Sequence, residues 1–94
     1  MPIFAVHYTY SDATTAARDE HRPRHREWLS NLLDQGVVLS SGPYADGSGA
    51  LILFRAEDAA AMDRLLAADP FARHDLIAAK RFVEWTPVMG TFSG

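Results

Sequence analysis

The stretch Arg22-Pro23-Arg24-His25-Arg26-Glu27-Trp28-Leu29-Ser30-Asn31-Leu32-Leu33-Asp34-Gln35-Gly36 decides how the rest of the chain is read. Trp28, Leu29, Leu32 and Leu33 follow His25 by three, four, seven and eight residues, the spacing of one face of an α-helix. This predicts a helix over about Pro23 to Gln35 with His25 at the head of its apolar stripe. Pro23 suits a first helical turn, where an N–H has no intrahelical partner, and Gly36 suits the left-handed position just past a helix end. Upstream, Ser11-Asp12 supply N-caps and Ala13 to His21 can be helical, so one interrupted helix or two short ones are expected around Pro23.

Strands flank this helix on both sides. Between Pro2 and Tyr10, the residues Ile3, Ala5, His7 and Thr9 alternate with Phe4, Val6, Tyr8 and Tyr10, a β pattern with apolar groups on both faces. After Gly36 the β-branched run Val37-Val38-Leu39-Ser40-Ser41 reads as a second strand stopped by Gly42-Pro43. Tyr44 to Gly49 contains Asp46-Gly47 and reads as a hairpin loop, followed by Ala50-Leu51-Ile52-Leu53-Phe54 as an antiparallel third strand. Glu57-Asp58 open a second helix with Met62, Leu65 and Leu66 on its apolar face, and Asp69-Pro70 closes it. Phe71 to Asp75 is expected to be a turn or a single helical turn, Lys80 to Val88 a final strand limited by Pro87, and Gly90 to Gly94 a loose tail.

The order βαββαβ predicts an α+β domain of ferredoxin-like type, a four-stranded antiparallel sheet with both helices on one face. Two helices cover only one face, yet strands one and three carry apolar residues on both. A homodimer with its sheets packed face to face is therefore expected.

With 94 residues, of which 48% are hydrophobic and 22% charged, the chain reads as one folded domain spanning 1–94. A domain this small buries only roughly 60 to 65% of its unfolded surface, which again favours self-association. The absence of cysteine removes disulfides, thiolate metal sites and a thiol nucleophile. A formal charge of −3 and a pI near 5.7 give no basic footprint for nucleic acid. The N-terminus lacks the pattern of a signal peptide, and no apolar run approaches a membrane span, so the cytoplasm is the expected address.

Asp69 follows Met62 by seven residues and so returns to the same helix face. At a helix C-terminus the macrodipole disfavours a carboxylate by roughly 0.3 to 1 kcal/mol, so a partner elsewhere should hold it. His25 is equally out of place in an apolar stripe. Each residue also has a plain structural explanation: Asp69 as the start of an Asp-Pro turn, His25 as a core histidine bonded to a backbone carbonyl. Were the helices to lie antiparallel on the sheet, His25 near the start of one would meet Asp69 near the end of the other. The carboxylate would then fix the imidazole tautomer and leave its second nitrogen to move a proton near neutral pH.

Arg22, one turn before His25, is a candidate for neutralising an anionic substrate, with a solvated surface arginine as its plain alternative. Tyr8, Ser40 and Ser41 are candidate polar groups of a pocket. His21 and His25 stand four apart, as two helical imidazoles on one metal do. Pro23 lies between them and no third ligand clusters there, so no metal site is expected. A haem bound through one of the four histidines stays open, although no attachment motif is present and the chain is expected to work without a cofactor. No Gly-rich phosphate loop or nucleophile elbow occurs.

The chain resembles the YCII-related (YciI-like) family. The resemblance is carried by the aromatic-bearing first strand, Arg22-x-x-His25 leading into Leu29, Leu32 and Gly36, then Gly42-Pro43, Asp69-Pro70-Phe71, and a closing strand with Trp85 and Pro87. It implies a ferredoxin-like fold of the dimeric α/β-barrel type and a site formed by a His and an Asp, roles that fall here on His25 and Asp69. Some relatives are linked to dehydrochlorination of hydroxylated aromatics. The expectation is a small cofactor-independent lyase or isomerase acting by proton transfer on a small phenolic or anionic molecule. The alternative is a non-catalytic small-molecule-binding or dimeric interaction module.

Overall fold

The computed structural model describes residues 1–93. Its elements are β1 (Ile3–Thr9), a short 3-10 turn (Asp12–Thr14), α1 (Thr15–Asp34), β2 (Val38–Pro43), β3 (Gly49–Arg55), α2 (Ala59–Ala67), α3 (Pro70–Arg73) and β4 (Ala79–Trp85). The strands form one antiparallel sheet in the order β2-β3-β1-β4, so the architecture is α+β with a four-stranded antiparallel sheet and three helices. No helix among the described residues is long and apolar enough to cross a membrane.

Alternation along β1 sorts the sheet into two apolar layers. Phe4, Val6 and Tyr8 join Val38, Ile52, Phe54, Met62 and Leu66 in the main core beneath the helices. Ile3, Ala5 and Leu53 form a smaller cluster on the opposite face. Phe92 lies against that cluster, so the tail expected to be loose has one anchored residue, while its last residue, Gly94, lies outside the described residues.

Pro23 does not break the helix. α1 runs through it for 20 residues, because both flanking segments are held from outside. On the N-terminal side the buried Arg18 bonds the Ser11 carbonyl and the Thr14 and Thr15 hydroxyls. On the other side Trp28, Leu29 and Leu32 pack on the core. These contacts offset the roughly 3 kcal/mol that an interior proline costs. His25 consequently sits in the middle of α1 and not near its start. Leu33, read as part of the buried stripe, is 53% exposed. Gly36 has φ +76°, the left-handed conformation expected after a helix end.

The largest departure from simple alternation lies in β2. Val38 pairs with Phe54, but Ser40 pairs with Leu53 and Ser41 with Ile52, so Leu39 is the extra residue of a β-bulge. Regular alternation from Val38 would have put Ser40 and Gly42 on the helix side. The bulge instead gives Ser41 and Pro43 the side of Ile52 and Ala50, both members of the main core. β2 also extends through Gly42-Pro43, because at a sheet edge the missing proline N–H removes no ladder bond. Gly49 cannot carry a side chain: a Cβ there would fall 1.8 Å from the Tyr8 carbonyl oxygen.

Candidate functional site

Asp69 is the fixed point of the site. Pro70 lacks an N–H and pushes its predecessor out of the helical region, so the chain leaves α2 at Ala67, extends at Asp69 (φ −61°, ψ 126°) and restarts as α3 with Pro70 in its first turn. Asp69 therefore serves two helix ends: its N–H bonds the Leu66 carbonyl just past the end of α2, as expected, and its side chain caps the N-terminus of α3. Its Oδ1 accepts the Phe71 backbone N–H at 2.9 Å, as the Asp-Pro turn reading expects.

The same carboxylate does more than cap. Oδ1 is also 2.7 Å from His25 Nδ1, and Oδ2 accepts the Tyr8 hydroxyl at 2.8 Å. Asp69 is fully buried and His25 only 7% exposed. With the Tyr8 hydroxyl and the Phe71 amide already donating to it, the carboxylate acts as an acceptor toward Nδ1, which in the neutral ring leaves the lone pair on Nε2. Burial, and then the negative charge of Asp69, push the Tyr8 phenol well above its ordinary range, so Tyr8 stays a neutral donor.

The two residues meet where α1 comes close to α3. The junction is a pair of ring stacks one helical turn apart: His25 on Phe71, with centroids 3.9 Å apart and planes 3° from parallel, and His21 on His74 at 4.0 Å. Such pairs contribute about 0.5–1.5 kcal/mol each beyond their buried area. His21, considered above as a co-ligand of His25, is thus turned to a different partner. Trp28 lies between His25 and Phe54, tying the imidazole to the main core.

His25 lines a cleft of about 570 Å³ between α1 and the β2 edge. No buried side-chain nitrogen or oxygen among the described residues is without a partner, and Nε2 makes no protein hydrogen bond, so Nε2 is not fully enclosed, on a residue that lines this cleft. Leu29, Leu33, Val38 and Pro43 provide its apolar wall. Its polar lining residues include Arg22 and Arg26 with Ser30 on α1, and Ser40 and Ser41 on β2. Arg22 also pairs with Asp19 on the exposed side of α1.

The structure brings His25, Arg22, Ser40 and Ser41 to one cleft. Asp69 and Tyr8 stand behind His25 and do not line it, so Tyr8, expected as a pocket group, instead holds the carboxylate. Three residues of the site had no role assigned from the sequence. Phe71 supplies the platform for His25, Arg26 lines the cleft with Arg22, and Tyr10 lines it with Arg18 stacked 4.4 Å over its ring. Phe71 was noted only as part of the Asp69-Pro70-Phe71 stretch, and alternation from Phe4, Val6 and Tyr8 already put Tyr10 on the helix side.

The fold recurs in solved structures. One is 5-chloro-2-hydroxyhydroquinone dehydrochlorinase (TftG) from Burkholderia phenoliruptrix AC1100 in complex with 2,5-dihydroxybenzoquinone, with a TM-score of 0.79 and 19% identity over 89% of this chain and 93% of that one. Another is a putative antibiotic biosynthesis monooxygenase from Bacteriodes thetaiotaomicron VPI-5482, with a TM-score of 0.65 and 14% identity over 99% of this chain and 94% of that one. A further antibiotic biosynthesis monooxygenase superposes with a TM-score of 0.59 and 16% identity over 95% of this chain and all of the other. At these identities the likeness is one of fold, and it is to ferredoxin-like proteins. No curated protein matches the sequence. The model of the YCII-related domain matches residues 2–86, nearly the whole length, and the chain belongs to that family.

Proposed function

We propose that the protein is a small enzyme that moves a proton on a hydroxylated aromatic or an enolisable carbonyl compound, with His25 as general acid and base and Asp69 as its orienter. The observation that carries this reading is the division of the imidazole: Nδ1 is committed to a buried carboxylate at 2.7 Å, while Nε2 has no protein partner and the residue lines the cleft. Nε2 takes a proton from a substrate carbon or hydroxyl, and the electron pair of the broken bond moves into the conjugated system. The imidazolium then returns the proton at another carbon, or the pair expels a leaving anion. The first outcome is an isomerisation and the second an elimination; neither consumes an oxidant. Arg22 offsets negative charge on the substrate, and Ser41, turned inward by the bulge, bonds a substrate oxygen. The dehydrochlorinase of like fold, in complex with a dihydroxybenzoquinone, supports the choice of substrate class.

The direct test is to incubate the protein with a panel of chlorinated and unchlorinated hydroxyquinols and follow chloride release and absorbance. Conversion that disappears in His25→Ala supports the reading. Saturable binding without product across the panel would instead favour a binding module, and conversion that survives in His25→Ala would remove the mechanism.

The same reading includes a homodimer of the α/β-barrel type. On the face away from the helices, Val83 is 48% and Trp85 40% exposed, and they continue the apolar surface of Ile3, Ala5 and Leu53 through their register with β1. A second copy is the simplest cover for such a face. Sedimentation should give a dimer that Val83→Glu converts to monomer; a monomeric wild type at micromolar concentration would contradict this.

A further inference from the structure

We propose that the Tyr10 hydroxyl is a catalytic hydrogen-bond donor, receiving the negative charge that develops on a substrate oxygen as His25 removes a proton. The cleft would thereby select compounds able to pass that charge to an oxygen. This rests on the proton-transfer reading and adds to it the group that stabilises the anion.

Tyr10 is held unusually firmly for a residue just beyond the end of a strand. Its ring packs edge-on against Phe71 at 6.0 Å and 84°, sits 6.4 Å from the Tyr8 ring, and lies under the Arg18 guanidinium at 4.4 Å. Arg18 is itself buried and fixed by the Ser11 carbonyl and the Thr14 and Thr15 hydroxyls, so the cap on the ring is rigid. Phe71 is the shared platform: one of its faces carries His25, its surround carries Tyr10, and all three line the same cleft.

The hydroxyl is unpartnered, on a residue that lines the same cleft as His25. The Tyr8 hydroxyl is spent on Asp69, but that of Tyr10 has no protein partner among the described residues, and none of their unpartnered side-chain polar atoms is buried. It is therefore accessible, on a residue that lines the cleft. Burial, and secondarily Asp69, raise the Tyr10 phenol above its ordinary range, with Arg18 and Arg22 opposing in part, so at neutral pH it is a donor and not a phenolate.

In the step itself a substrate C–H or O–H bond breaks, the proton goes to His25 Nε2, and the electron pair comes to rest on a conjugated oxygen. Tyr10 keeps its own proton and only strengthens its hydrogen bond to that oxygen. Because its ring is fixed beforehand, little reorganisation accompanies the charge shift, which is where such donors act most strongly.

Tyr10→Phe removes one oxygen that bonds nothing in the protein, so the fold is retained. The probe is 4-nitrocatechol, whose phenolate is coloured, compared with its uncharged dimethyl ether. Wild type should bind the phenolate in preference to the ether. Tyr10→Phe should weaken phenolate binding about tenfold, the scale of a hydrogen bond to a charged group, and leave ether binding unchanged. Equal phenolate binding by the two proteins would overturn the role of Tyr10 while leaving the His25–Asp69 reading in place. Failure of wild type to bind either compound would overturn both.

Discussion

Asp69→Ala should lower the unfolding free energy by about 3 to 5 kcal/mol, the largest stability loss expected of any single polar substitution in the chain. The carboxylate is fully buried and takes hydrogen bonds from the Tyr8 hydroxyl, His25 Nδ1 and the Phe71 amide. Alanine leaves all three donors unpaired, each at a cost of about 1–3 kcal/mol, with partial recovery by relaxation and entry of water. The damage also spreads, because the same carboxylate caps α3 and α3 presents Phe71 to His25. Asp69→Asn should cost less, since its amide keeps one acceptor oxygen while turning a donor toward another donor. Urea unfolding measures both. A loss below about 1 kcal/mol for Asp69→Ala would mean that the carboxylate is not the anchor its bonds imply.

His25→Ala should do the reverse, with a turnover loss of about 10²- to 10⁴-fold and a smaller effect on the fold. The substitution removes the general base together with a ring stacked on Phe71 at 3.9 Å, but leaves the Tyr8 and Phe71 bonds to Asp69 intact. His25→Gln separates the two roles. A glutamine amide can still donate toward Asp69, so stability should largely return, but it cannot take a proton and turnover should not. Comparing kcat with the urea midpoint for the two variants checks this. Recovery of activity by glutamine would show that the imidazole only binds or positions.

Much of this was legible in the chain because the governing periods are short. The three- and four-residue spacing from His25 found the helix face, Gly36 marked its end, and two-residue alternation found both apolar layers of the sheet. Spacing also suggested pairing His25 with Asp69. The carboxylate lies just past the end of α2 as expected, and the single helical turn expected at Phe71 to Asp75 is α3, which begins one residue earlier at Pro70 with Asp69 as its cap. Pro23 misled for a related reason: a local rule lost to tertiary contacts at Arg18 on one side and Trp28 on the other. The bulge at Leu39 was invisible, since an inserted residue has no sequence signature here, yet it decides that Ser41 and Pro43 share the side of the main core. Arg18 was passed over because a buried arginine with only hydroxyl and carbonyl partners looks, in sequence, like any solvated one.

The state of one imidazole tests the account most directly. Nitrogen-15 NMR of the side chains at pH 8, with His25 assigned by substitution, reports which ring nitrogen is protonated. The expected result is a proton on Nδ1, protected from exchange and lost or displaced in Asp69→Asn, with Nε2 bare. A proton resident on Nε2, or an Nδ1 signal indifferent to Asp69, would leave no base facing the cleft and would contradict the proposed chemistry.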